Sequence, residues 1–143
     1  MQLSTEYLFI VDKLSAAALY RFCNDASDFE RMLRSHDKLD FSRGTLVFAG
    51  EHHFPYRVHT NEISGKEQRC FYLSLLFNGD ESALDKYEGA LRAVRAAAHT
   101  HGCIPETIWD DVSLYYSERG YPLIHRAESL MRKLITYFML TRV

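Results

Sequence analysis

The chain has 143 residues, 47% of them hydrophobic and 25% charged, the balance of an ordinary globular domain with enough material to bury a core. Those proportions exclude a disordered tail, a collagen-like chain and a cysteine-stapled miniprotein. With 17 Lys and Arg against 19 Asp and Glu, the formal net charge of −2 gives no global field for nucleic acid or anionic lipid, though it is compatible with a local basic patch.

The opening MQLSTEYLFIVDKLS has neither a basic n-region nor a small-residue cleavage site, so it does not read as a signal peptide. Apolar stretches fall short of the ~20 residues that span a bilayer, so no membrane association is expected. Cys23, Cys70 and Cys103 are odd in number and scattered, which suits a reducing cytoplasm.

In chain order, the apolar run Tyr7 to Val11 predicts a first strand, buried on both faces. Ser15 is a plausible N-cap for Leu19, Phe22, Ala26, Phe29, Met32 and Leu33 at helical spacing. Asn24–Asp25 and the capping-box pattern Ser27-x-x-Glu30 predict two helices or a kink, ending near Ser35. Thr45 to Ala49 reads as a strand. In the next, Phe54, Tyr56, Val58 and Thr60 alternate with Pro55, Arg57 and His59, the pattern of a strand with one wet face. Pro55 cannot donate to a ladder, which assigns it to a strand start or an edge. Asn61 to Glu67 reads as a turn, and Cys70 to Phe77 as a central strand apolar on both faces.

Ser82-x-x-Asp85 opens the most regular helix, with Leu84, Tyr87, Leu91, Val94 and Ala98 inside and Lys86, Glu88, Arg92 and Arg95 outside. Gly102 suits its C′ position and Pro105 blocks continuation. Val112, Leu114 and Tyr116 predict a last strand, and a final helix starts near Pro122, a favoured N1 residue. The order β-α-β-β-β-α-β-α predicts an α+β fold, a ferredoxin-like split β-α-β antiparallel sheet with helices on one face. Residues 1–118 form the sheet domain in this reading, and residues 119–143 an apolar C-terminal helix. Its broad stripe, from Leu123 and Ile124 through Leu130, Met131, Leu134 and Ile135 to Phe138, either docks on the sheet or expects helices from elsewhere.

Few residues read as metal ligands or catalysts. His52, His53 and His59, with Glu51, form one cluster and His99-x-His101-x-Cys103 another. The second suits a helix C-terminus, and neither has ligand spacing, so no metal or other cofactor is expected. Phosphate loops, nucleophile elbows and zinc-protease motifs are missing. Phe71 and Tyr72 suggest the base-stacking sheets of RNA-binding domains, but core packing accounts for them better.

The segment from Arg119 through Tyr121–Pro122, His125, Glu128 and Arg132 to Leu134–Ile135 resembles the opening helix of HEPN-domain ribonucleases. These small helical modules occur in prokaryotic toxin–antitoxin and anti-phage abortive-infection systems. The resemblance covers about the last 25 residues. On residues alone, Glu128 and Arg132 are an i,i+4 ion pair worth ~0.3–0.5 kcal/mol. The family resemblance implies a metal-independent endoribonuclease with an Arg-x4–6-His motif, in which histidine moves the proton and arginine holds the strained phosphate. Arg119 and His125 fit that spacing, as do Arg31 with His36, Arg92 with His99 and Arg95 with His101; chance alone gives about two such matches. None has Asn after the arginine, and the family's motif lies in a later helix, so the resemblance places the catalytic motif beyond this chain.

The resemblance therefore implies the N-terminal part of a HEPN-type ribonuclease, serving in sensing, partner binding or RNA positioning. Its implied partners are RNA, an antitoxin or trigger protein, and a second copy joined through the C-terminal helix. The alternative is a self-contained, non-catalytic α+β module that binds a protein or a small molecule.

Overall fold

The computed structural model describes residues 1–14, 16–63 and 67–141, so Ser15, expected as an N-cap, and residues 64–66, expected within a turn, lie outside the described part. The fold is α+β. Six strands, β1 (Gln2–Asp12), β2 (Leu39–Ser42), β3 (Thr45–Phe48), β4 (His52–Ile63), β5 (Gln68–Asn78) and β6 (Glu106–Asp110), make one sheet in the order β2-β3-β4-β5-β1-β6. Every neighbouring pair is antiparallel. The helices are α1 (Ala17–Phe22), α2 (Ala26–Leu33), α3 (Leu84–Thr100) and α4 (Asp111–Thr141). The chain divides into two compact units, Met1–Asp110 and Asp111–Val143, whereas the pattern placed the division at 118/119.

In β1, Thr5, Tyr7, Phe9 and Val11 are buried while Ile10 is 41% exposed. In β5, Phe71, Leu73, Leu75 and Phe77 are buried and the intervening residues half-buried. Both strands therefore bury one face, not the two expected, because α2 and α3 supply the inner layer and an antiparallel sheet tolerates a wet second face. Phe29 of α2 stacks on Phe71 at 4.8 Å between centroids and meets Phe9 edge-on at 4.8 Å. Tyr87 of α3 packs edge-on to Phe54 at 5.3 Å and tilted on Phe77 at 5.2 Å. The inner stripe of α3 is as expected, with Leu84, Leu91, Val94 and Ala98 also buried.

Local chemistry sets the helix ends. Asp25, not Ser27, caps α2: its side chain accepts from the Asp28 amide at 2.8 Å. Glu30 is drawn instead to the sheet, accepting from the Tyr56 hydroxyl at 2.7 Å. At the end of α3, Gly102 has φ +78°, its amide donates to the His99 carbonyl at 3.0 Å, and the Cys103 amide donates to the Ala98 carbonyl at 3.0 Å, a Schellman motif.

Two further expectations are corrected. Val112, Leu114 and Tyr116 lie in α4, and the last strand is β6, upstream of them. Three alternating residues also satisfy part of a helical stripe, whereas the β-branched and aromatic Thr107–Trp109 follow the break at Pro105 and pair with β1. Pro122 sits inside α4 rather than at its start. It removes the amide donor to the carbonyl of Glu118, and the turns on either side carry the helix across that gap. Pro55 is not at a strand start, but it lies on the stretch of β4 that pairs with β3 alone, whose other side is a local edge, as expected. β4 pairs with β3 through Pro55 and with β5 from Tyr56 onward, so the missing N–H falls where the strand changes partner.

Candidate functional site

Arg119 and His125, the pair with catalytic spacing, are exposed on α4. Six residues along an α-helix separate them by about 120° around the axis and about 9 Å along it, so they do not converge on one phosphate. The Arg119 guanidinium lies 4.5 Å from the Tyr115 ring centroid, a cation–π contact within the helix. Glu128 and Arg132 are also exposed, one turn apart, and the Arg132 carbonyl accepts from Thr136 Oγ1 at 2.9 Å.

The histidine clusters are split. His53 and His59 share the wet face of β4, and His52 lies on the opposite face, 3.9 Å from the Glu51 carboxylate. His99 and His101 are exposed, while Cys103 is buried with its Sγ 3.8 Å from the Ile10 carbonyl. Among the described residues no group of three or more His, Cys, Asp and Glu side chains could hold a metal ion. Phe71 is fully buried and belongs to the core as expected, whereas Tyr72, on the other face of β5, is only half-buried and does not.

The structure assembles a cleft that no sequence motif marked. It lies between α1, α2 and the end of α3, with a volume of about 500 Å³. Its α1 wall is Ala18, Leu19, Phe22 and Cys23, apolar throughout, with Phe22 71% exposed. The α2 wall presents Asp28, Arg31, Met32 and Ser35, which share one face because they recur at three- and four-residue spacing. Thr100 and His101 close it.

Arg69 of β5 holds the α1 wall in place. Its side chain is 13% exposed; it donates to the carbonyls of Tyr20 and, at 3.2 Å, Cys23, and its guanidinium sits 4.0 Å from the Tyr20 ring centroid. A six-residue helix without a side-chain N-cap gains a cation at its C-terminal carbonyls this way. Arg34, the C-cap residue of α2, ties that helix to β2, donating from Nε to the Phe41 carbonyl at 3.0 Å.

Ser35 Oγ and His101 Nε2 are 2.9 Å apart, a distance that suggests a nucleophile and its base. The same hydroxyl lies 2.7 Å from the Met32 carbonyl. The Ser35 hydroxyl therefore has two partners within reach, the Met32 carbonyl and His101 Nε2, and when its proton goes to Met32 the imidazole donates to it. Burial pushes the Cys23 thiol up to about 12, helped by the neighbouring Asp28 carboxylate, so it is not a thiolate nucleophile at neutral pH. Arg31 and His101 belong to two different Arg-x-His matches, which is the only trace of the cleft in sequence.

No helix among the described residues is long and apolar enough to cross a membrane. Compared with protein families, curated proteins and solved structures, the chain matches none.

Proposed function

We propose that this chain is the N-terminal part of a HEPN-type ribonuclease acting in the cytoplasm in anti-phage defence or toxin–antitoxin control. In this reading the sheet unit senses a trigger, binds an antitoxin or positions RNA, and α4 is the first helix of the nuclease bundle. One observation carries the proposal: α4 exposes Leu123, Ile124, Leu130, Met131, Leu134, Ile135, Phe138 and Met139, each more than half accessible. Apolar surface on that scale marks a face that other helices cover. The strand order β4-β5-β1-β6, with β5 between β1 and β4, supports the ferredoxin-like description of the sheet unit.

The covering helices come from a second copy, completing a metal-independent active site across a homodimer. Light scattering after size exclusion tests the association: the 143-residue chain forms a dimer, and Leu130→Asp with Leu134→Asp yields a monomer with an unchanged sheet unit. Joined to the helices encoded after it in its gene, the chain cleaves RNA without added metal, and alone it does not. A monomeric wild-type chain, or an extended chain without nuclease activity, refutes the reading.

The cleft favours a second reading, a non-catalytic α+β module that binds a small molecule or protein. Under it, residues 1–110 alone retain all binding, and the α4 substitutions change nothing.

A further inference from the structure

The cleft between α1, α2 and the end of α3 has a polarity that selects its occupant. Its α1 side is hydrocarbon, with an exposed phenyl ring at Phe22, and Met32 continues that surface from α2. Its other side carries the Arg31 guanidinium. Arg31 is 75% exposed, and its Nη1 stands 3.7 Å from Asp28 Oδ1, beyond hydrogen-bond length. Asp28 is occupied as a local acceptor, taking the Asn24 amide at 3.0 Å on its other oxygen. The remaining polar neighbours spend their protons internally: Thr100 donates to the Ala96 carbonyl at 2.9 Å, and Ser35 donates to Met32.

We propose that this cleft binds a small amphipathic monocarboxylate, an aryl- or alkyl-carboxylic acid. Its apolar body lies against Leu19, Phe22 and Met32, and its carboxylate takes the Arg31 fork. A planar carboxylate matches two parallel guanidinium N–H groups. A volume of about 500 Å³ lies in the range of small-molecule sites and accommodates such a ligand without rearrangement. The walls are held open without ligand, because Arg69 fixes α1 to β5 and Arg34 fixes α2 to β2 independently of each other. The inference does not rest on the nuclease reading, and the site lies wholly within residues 1–110.

The test is a titration of the isotope-labelled full chain with phenylbutyrate, followed by amide chemical shifts, with phenylbutanol and inorganic phosphate as comparison probes. Phenylbutyrate shifts amides of α1, α2 and residues 99–102 saturably, and binds more tightly than either comparison. Arg31→Ala weakens phenylbutyrate by about tenfold or more and leaves phenylbutanol unchanged. Phe22→Ser weakens both organic probes. Both side chains are exposed, so neither variant endangers folding. Equal binding of acid and alcohol, tighter binding of phosphate, no saturable shift, or shifts confined to α4 each overturn the assignment.

Discussion

Removing the hydroxyl of Tyr87 tests how α3, and with it the His101 wall of the cleft, is fixed over the sheet. The hydroxyl lies 2.9 Å from Thr5 Oγ1 and 3.1 Å from the Leu75 carbonyl, and Thr5 and Leu75 are directly paired across β1 and β5. Both Thr5 and Tyr87 are fully buried, so water cannot replace what is lost. Tyr87→Phe takes a donor from the Leu75 carbonyl and a partner from the buried Thr5 hydroxyl, and costs about 1–3 kcal/mol. Thr5→Val leaves the tyrosine its carbonyl partner and costs less, about 0.5–1.5 kcal/mol. The double variant deletes the hydroxyl pair together, so its loss falls short of the sum of the single losses by at least about 0.5 kcal/mol. Urea unfolding followed by circular dichroism reads all four proteins, provided the slope with denaturant is constant. Additive losses, or a Tyr87→Phe variant as stable as the parent, would refute the claim that this polar contact anchors α3.

Two other expectations follow from the structure. Cys70 is partly exposed, whereas Cys23 and Cys103 are buried, with desolvation pushing their thiols up to about 12 and about 11. Iodoacetamide at pH 8 therefore labels Cys70 in the native protein and the other two only on unfolding, as peptide mass mapping will show. Pro122→Ala restores a backbone donor inside α4 and relieves the proline ring's clash with the preceding turn, stabilising that helix by up to about 3 kcal/mol. The far-ultraviolet helical signal of α4 then persists to higher temperature; an unchanged or weaker signal contradicts the assignment of Pro122 to a helix interior.

Features written in one local stretch were legible in the sequence. The five-residue inner stripe of α3, its glycine C′ residue and the alternation of Phe54, Tyr56 and Val58 appear in the structure as read. Features decided by distant partners were not. Strand β2 has only four residues, and its Leu39 and Phe41 gain meaning from pairing with β3 across Arg43–Gly44, where both φ values are positive as a tight hairpin turn requires. The end of the sheet was misplaced because a short alternation cannot tell a strand from the first turn of a helix until a neighbouring strand is present. The cleft was hidden for the same reason. Ser35 and His101 stand 66 positions apart, and only the packing of α2 beside α3 joins them.

The change of partner along β4 divides the sheet's cooperativity. From Tyr56 to Ile63 the strand is stitched to β5, but from His52 to Pro55 it is stitched only to β3, and Pro55 contributes no proton at the seam. The Tyr56 amide, donating to the Gly44 carbonyl at 3.0 Å, is the first bond past that seam and ties the hairpin turn to the main sheet. The β2–β3 hairpin is therefore expected to open ahead of the rest of the sheet, its amides exchanging with solvent before those of β1 and β5. Arg34 and Glu30 reach from α2 to Phe41 and Tyr56 on either side of the seam. That places one wall of the cleft on the boundary between a fast-opening and a slow-opening part of the molecule.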